Sequence, residues 1–194
     1  SHQPMMENAN AEAKLYECVL KAGCTWQPEL FPFRKKIQMF FFTNETGYIQ
    51  SETQGWKIEQ AVFVPDYDRE AITIHAGKED LHFLHIVGDL NDYDRATMER
   101  WCIKLPRYRN FHQCVQYTEG FTGDAGSNVT SRLLVEGRGC GRWSMGWNNG
   151  EGPTFIGEHI HKHLVQWYYV LPDGFFTYIA GGTREDMGPG SLSY

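Results

Sequence analysis

Short segments of alternating residues, bounded by turn signals, run through most of this chain and constrain its fold most strongly. Ile37, Met39 and Phe41 share one face of such a segment, and the turn Asn44-Glu45-Thr46-Gly47 leads into a partner strand over residues 48–53. Further strands are predicted over residues 97–105, 129–136 and 141–147. Roughly ten segments at this spacing are typical of an antiparallel sandwich or barrel. We therefore predict an all-β, mainly antiparallel protein that folds as a single β-barrel.

The N-terminal part of the chain departs from this alternation. Residues 1–9 are polar and Ser1-His2 resembles a cloning scar, so a disordered tail is expected there. Beyond it, four apolar residues recur at helical spacing, and Gly23 follows them where a C-terminal cap belongs: Leu15, Cys18, Val19 and Ala22. They predict a short helix within residues 10–22. The barrel domain is expected to cover residues 10–194.

Composition excludes several classes of protein. The net charge is −6 and the single basic cluster is Arg34-Lys35-Lys36, which argues against a nucleic-acid partner. No apolar run is long enough for a membrane span, and no signal peptide is visible. The five cysteines contain no C-x-x-C pair and are expected to be free thiols in a reducing compartment. We expect a protein of the cytoplasm or of an organelle lumen, as a monomer or a homodimer.

Three histidines at alternate positions mark the segment GEHIHKHLVQWYYVLPDG over residues 157–174: His159, His161 and His163. On an extended strand they would share one face with Trp167 and Tyr169. That face carries no formal charge, so we expect it to point inward.

This histidine face has three chemical interpretations. Imidazoles that titrate near neutral pH could act as acid and base on a bound molecule. Alternatively, His159 and His161 could bind a divalent metal such as Zn, Fe or Mn, since alternate positions lie about 6–7 Å apart along a strand. A third ligand would then come from elsewhere, the candidates being His75, His82, His85, His112 and Glu136. In the third interpretation the histidines are structural.

Two short motifs resemble known families. His159-Ile160-His161, with Gln166 and Gly174 after it, is similar to the first metal motif of cupins, with Gln166 at the position of the motif's Glu ligand. This resemblance implies a metal-dependent enzyme of cupin shape. Gly141-Arg142-Trp143 resembles the Gly-x-Trp signature of lipocalins and their calycin relatives. That resemblance implies an up-and-down barrel around a small apolar ligand. This barrel is the architecture we predict.

Aromatic side chains supply the candidate cavity wall. Four tryptophans are expected to bind the ligand together with His163: Trp101, Trp143, Trp147 and Trp167. Trp143 and Trp147 alternate onto one face beside Gly141, which leaves a slot for a flat ligand or relieves crowding in a curved strand. Glycine-rich stretches over residues 119–128 and 148–157 are expected to form loops at the mouth.

The sequence thus predicts that a small apolar or aromatic molecule binds in a barrel cavity. The expected activity is a proton transfer of the isomerase, cyclase or lyase type without a cofactor. Four residues are the candidate catalytic groups: His159, His161, Glu136 and Tyr169, with Glu136 orienting a histidine. A metal-dependent enzyme of the cupin type and a non-catalytic carrier remain as alternatives.

Overall fold

The computed structural model describes residues 1–66, 69–118 and 128–194. Its contacts divide the chain into two compact units, Ser1–Glu158 and His159–Tyr194. The single domain expected over residues 10–194 stays a prediction. The stretch 119–127, which was expected to form a loop, lies outside the described residues. No helix in the described ranges is long and apolar enough to cross a membrane.

The described chain is built mainly from short strands. In chain order they are β1 (His2–Met5), β2 (Ala13–Leu20), β3 (Thr25–Trp26), β4 (Lys36–Phe42), β5 (Tyr48–Ser51), β6 (Gly55–Lys57), β7 (Ala61–Val64), β8 (Ile72–His75), β9 (Leu81–Asp89), β10 (Arg107–Asn110), β11 (Val115–Tyr117), β12 (Val129–Val135), β13 (Met145–Gly150), β14 (Tyr168–Tyr169), β15 (Phe176–Ala180), β16 (Thr183–Met187) and β17 (Leu192–Ser193). Helix α1 spans Asp92–Arg100, helix α2 spans Gly137–Cys140, and 3-10 turns cover Pro32–Arg34 and Phe111–Gln113. Every recorded strand pair is antiparallel, which confirms the all-β prediction.

Strands β2 to β9 are distributed over two sheets. The larger sheet has the order β1-β2-β9-β4-β7-β10, and the second has the order β3-β8-β5-β6. Among β2 to β9, only β5 and β6 are neighbours both in sequence and in a sheet, because the chain otherwise crosses between the sheets. This crossing pattern is that of a jelly roll, whereas an up-and-down barrel pairs consecutive strands. Within the described residues the strands form several sheets and no closed single barrel.

Strand pairing corrects two predictions from the sequence. Residues 48–53 do not return beside the strand at residues 37–41, because β4 pairs with β7 and β9 while β5 pairs with β6 and β8. The predicted helix within residues 10–22 is also wrong, since β2 lies there between β1 and β9. Leu15 and Cys18 are buried on opposite faces of β2. Apolar residues on both faces of a strand can have the same spacing as one face of a helix. The tail expected to be disordered contains β1.

The space between the two jelly-roll sheets is filled by apolar side chains. Phe40, Phe42 and Phe63 of the larger sheet are fully buried against Ile49 and Ile74 of the second sheet. Together they form one continuous core, so the interior of this jelly roll is packed. At about 25 cal/mol for each Å² of buried apolar surface, such side chains contribute most of the stability of a unit this size.

A buried histidine adds a polar network to this interior. The ring of His85 stacks on Phe40 with centroids 4.7 Å apart, and its Nε2 contacts Oε1 of Gln38 at 2.9 Å. The amide of Gln38 in turn donates to the carbonyl of Glu29 at 2.6 Å. Because an amide oxygen only accepts, the proton of the imidazole lies on Nε2. Burial, aided by the nearby His2, lowers the pKa of His85 to about 3, so the ring is neutral at physiological pH.

The outer face of the larger sheet is buried as well. Phe41 lies edge-on to Trp147 with ring centroids 5.5 Å apart, and a Cβ placed on Gly88 would lie 2.5 Å from the ring of Trp143. Because both faces are covered, β7 and residues 39–42 of β4 are continuous apolar runs. The glycine at position 88 is therefore required by the close approach of Trp143.

A buried ion pair holds α1 against the segment before β13. The side chain of Asn91 accepts from the backbone N–H of Asp94, and the carboxylate of Asp94 accepts from the backbone N–H of Asn91, so the two residues form a capping box. Asp94 is fully buried and accepts hydrogen bonds from the backbone and guanidinium of Arg142 at 2.8–3.3 Å. Gly141, with φ of +69°, lets the backbone approach this carboxylate.

Helix α1 replaces part of the strand predicted over residues 97–105, and β13 begins four residues later than the strand predicted from residue 141.

The smaller unit, His159–Tyr194, consists of two strand pairs. β14 pairs with β17, and β15 pairs with β16 through a two-residue turn at Gly181-Gly182, whose φ angles are +56° and +79°. Positive φ at both positions suits glycine and matches the twist of a tight hairpin.

Candidate functional site

The histidine segment is less regular than the sequence indicated. Residues 159–167 carry no strand, residues 162–163 form a turn, and β14 covers only Tyr168–Tyr169. The expectation of one long strand with three histidines on a single face is therefore wrong. Alternation along a sequence specifies a strand only where a neighbouring strand completes the backbone hydrogen bonds.

Two of the three histidines nevertheless come together. The rings of His159 and His161 lie nearly perpendicular, with centroids 4.8 Å apart and an interplanar angle of 78°. Both side chains are half-buried, whereas Ile160 between them is 87% exposed. His163 is exposed in the turn. The structure thus brings a pair of imidazoles together, and the ligand-binding role of His163 stays a prediction.

Aromatic side chains of the same unit follow the histidine pair in the chain. Tyr168 donates its hydroxyl to Oε1 of Gln166 at 3.0 Å, and its ring lies 5.5 Å from that of Tyr178. The ring of Trp167 lies 5.7 Å from that of Tyr194, and its buried Nε1 has no acceptor among the described residues. Tyr169 is half-buried and pairs with Leu192 in the β14–β17 ladder. An unpaired buried donor is unusual, and it marks this indole as a possible contact for a bound molecule.

The residues present do not form a complete metal site. The described part of the chain contains no group of three or more His, Cys, Asp or Glu side chains that could hold an ion. His159 and His161 supply two imidazoles, and Gln166, at the position of the cupin Glu, is bonded to Tyr168. Catalytic zinc sites use three protein ligands. Among the described residues the donor set therefore falls one ligand short, and no chemical step is assigned to a metal.

Glu136 lies in the larger unit and has two arginine partners. Its Oε1 accepts from Nη1 of Arg109 at 2.7 Å, and its Oε2 pairs with Nη2 of Arg107. Burial alone would raise the pKa of Glu136, but the two guanidinium groups outweigh it and hold the pKa below its ordinary value. These contacts identify Glu136 as a charged ion-pair acceptor, and its predicted role beside a histidine stays untested.

The predicted tryptophans lie in different parts of the described chain, and their shared role in binding a ligand stays a prediction. Trp143 and Trp147 cover the outer face of the larger sheet, and Trp167 belongs to the smaller unit. Trp101 is 56% exposed and lines a cavity of about 660 Å³ beside β10. The sequence analysis missed three basic residues of this cavity: Lys104, Arg107 and Arg109. The two arginines could have been found from the alternation Arg107-Tyr108-Arg109, which places two guanidinium groups on one face of a strand.

Comparison with known proteins supports the fold. No protein-family model and no curated protein matches this sequence. Among solved structures, the putative glyoxylate induced protein from Pseudomonas aeruginosa is similar over 98% of this chain and 69% of its own, with a TM-score of 0.74 and 13% identity.

Shorter matches include proteins with cupin domains. A cupin protein from Bacteroides fragilis matches with a TM-score of 0.40 and 15% identity over 47% of this chain and 79% of its own. The Cnp3 cupin domain of Schizosaccharomyces pombe matches with a TM-score of 0.39 and 13% identity, over 53% of this chain and 71% of its own.

The strand order corrects the resemblance that the sequence favoured. Gly141-Arg142-Trp143 does not mark a lipocalin-like barrel, because its glycine approaches Asp94, its arginine pairs with Asp94 and its tryptophan packs on Gly88. The lipocalin interpretation is therefore wrong. The larger unit has a jelly-roll fold.

Proposed function

We propose that this chain is a small-molecule-binding protein of the cupin type, with His159 and His161 at the polar end of its site. The observation that carries the proposal is the contact between the two imidazoles, whose centroids lie 4.8 Å apart. Each ring offers one nitrogen that donates and one that accepts. The pair can therefore hold a polar group of a ligand and take up or release its proton.

The smaller unit also supplies apolar surface for such a ligand. Trp167, Tyr168 and Tyr169 are each half-buried, and indole and phenol rings provide large contact areas for flat molecules. The proposed ligand is accordingly a small apolar or aromatic molecule with one polar group. The proposed reaction is a proton transfer on that molecule, as in an isomerase, a cyclase or a lyase.

The test separates binding from proton transfer. Aromatic and apolar compounds are screened by displacement of 1-anilinonaphthalene-8-sulfonate, and each hit is incubated with the protein in D₂O while NMR follows exchange of its carbon-bound hydrogens. His159→Ala and His161→Ala should slow exchange about 100-fold or more, the usual contribution of a general acid or base, and change affinity far less. Ile160→Ala is the matched control, because that side chain lies between the two histidines in the chain and is 87% exposed. Unchanged exchange in both histidine variants would refute the proposal.

Binding without exchange in the unaltered protein would instead support a carrier. The same two histidines would then orient the ligand, and their substitution should weaken its binding.

A metal-dependent enzyme is the second candidate function, favoured by the same pair of imidazoles within the His-x-His outline. Elemental analysis of the purified protein for zinc, iron and manganese tests it. About one metal ion per chain, lost from the His159→Ala/His161→Ala variant, would support this candidate. A protein that stays metal-free and shows no heat of binding with these ions would refute it.

A further inference from the structure

The cavity beside β10 is formed entirely by residues of the larger unit and is independent of the histidine pair. We refer to it as the β10 cavity. Its volume of about 660 Å³ lies within the range of about 300–1,000 Å³ that is usual for small-molecule sites. Polar and aromatic side chains both contribute to its wall, so shape and charge together can select a ligand.

Positive charge predominates in the β10 cavity. Lys104, Arg107 and Arg109 line it, and Glu136 is the one carboxylate among its described lining residues. Both arginines contact this carboxylate, while Lys104 is exposed and forms no ion pair with any described residue. One negative charge therefore faces three positive charges. A cavity with this excess attracts an anion.

The guanidinium groups of Arg107 and Arg109 have N–H donors that Glu136 does not use. Arg109 uses Nη1 for Glu136 at 2.7 Å, and its side chain is 31% exposed. Arg107 is only 14% exposed, and its buried Nε finds no acceptor in the described part of the chain. Arginine forks bind carboxylates through paired hydrogen bonds, and here a single carboxylate is divided between two forks. A second carboxylate would complete this arrangement.

Two indole rings complete the wall. Trp101 is 56% exposed at the end of α1, and Trp56 is half-buried in β6. Large exposed aromatic side chains beside positive charge are typical of sites for flat molecules, because indole faces offer extensive contact area.

We propose that the β10 cavity binds a small aromatic carboxylate. Lys104 and Arg109 hold the carboxylate of the ligand, and Trp56 and Trp101 contact its ring. Glu136 pairs with Arg107 and Arg109, so its carboxylate competes with the ligand for their donors.

Calorimetry with three matched probes tests this assignment. 2-Naphthoate carries both the ring and the charge, 2-naphthamide carries the ring alone, and acetate carries the charge alone. We expect 2-naphthoate to bind at one site per chain, at least about 10-fold more tightly than either of the others, and more weakly as salt increases. Equal binding of 2-naphthoate and 2-naphthamide, or no binding of 2-naphthoate, would overturn the proposal.

Variants then locate the site. Arg109→Gln should weaken 2-naphthoate about 10-fold, and Lys104→Gln, at an exposed position that leaves folding unaffected, about 3-fold. Glu136→Gln should have the opposite effect, because it frees both arginines for the ligand. Lys78→Gln, an exposed lysine outside the cavity, is the matched control. Affinity that is unchanged in both Arg109→Gln and Lys104→Gln would place any binding elsewhere and refute the assignment. Since these residues lie outside the smaller unit, the result is independent of the function proposed for His159 and His161.

Discussion

The buried carboxylate of Asp94 provides a sharp test of the packing described above. Its two oxygens accept from the backbone of Asn91 at 3.0 Å, from the backbone of Arg142 at 2.8 Å and from the guanidinium of Arg142 at 3.0–3.3 Å. Asp94→Asn keeps the shape of the side chain but turns one acceptor into an NH₂ group that faces these donors. It also removes the negative charge opposite Arg142.

The expected loss of stability follows from these contacts. Hydrogen bonds to charged groups contribute about 1.5–3 kcal/mol each, and breaking a buried pair costs about 3–5 kcal/mol. Arg142 is 33% exposed, so water can partly solvate it once the partner is lost, and the lower end applies. We expect Asp94→Asn to reduce the free energy of unfolding by about 3 kcal/mol. For a unit of this size, that loss lowers Tm by about 6–12 °C.

Thermal unfolding followed by circular dichroism measures this loss, and Asp92→Asn is the matched control. Asp92 lies in the same helix and pairs with Arg95, but its carboxylate is fully exposed. Water screens such an exposed pair, so the control should lower Tm by no more than about 4 °C. If the two variants melt within 2 °C of each other (a spacing of less than about 1 kcal/mol), the reasoning about burial is refuted.

Three further predictions concern packing, pH and thiols. Gly88→Ala should lower the free energy of unfolding in urea by about 1–3 kcal/mol, because the added Cβ would lie 2.5 Å from the ring of Trp143. The loss should be smaller when Trp143→Leu is also present, and an equal loss in that background would contradict the clash. The pKa of His85 is lowered to about 3 in the folded protein, whereas it is about 6.5 in the unfolded chain, so only the unfolded chain binds this proton between these values. The free energy of unfolding is therefore unaffected above about pH 6.5 and falls below it, by on the order of 3 kcal/mol at pH 4. His85→Gln should flatten the dependence of the urea midpoint on pH between 7 and 4, and an equally steep curve would exclude this histidine as its source. Ellman's reagent should label only the exposed Cys24 and Cys102 rapidly in the folded protein and all five thiols in urea; rapid labelling of a third thiol before unfolding would contradict the burial described here.

Some features of the site could be predicted from local sequence alone. His159 and His161 were expected side by side, and the structure pairs their rings, because alternate residues of an extended chain point the same way even without a strand partner. The shared placement of Arg107 and Arg109 follows from the same rule, although the sequence analysis overlooked it. The capping box of Asn91 and Asp94 was likewise present in the sequence as a helix start, and the helix that begins there takes residues 97–100 out of the predicted strand.

The sequence by itself determined the all-β class, because alternation with a period of two and the turn residues are local properties of the chain. The tertiary structure decided which strands pair, since that choice depends on contacts between distant residues. It made β2 a strand between β1 and β9, and it brought Glu136 to Arg109 and Arg142 to Asp94. These partners lie 27 and 48 residues apart in the chain. No local pattern encodes such contacts, because they depend on how distant segments of the chain pack together.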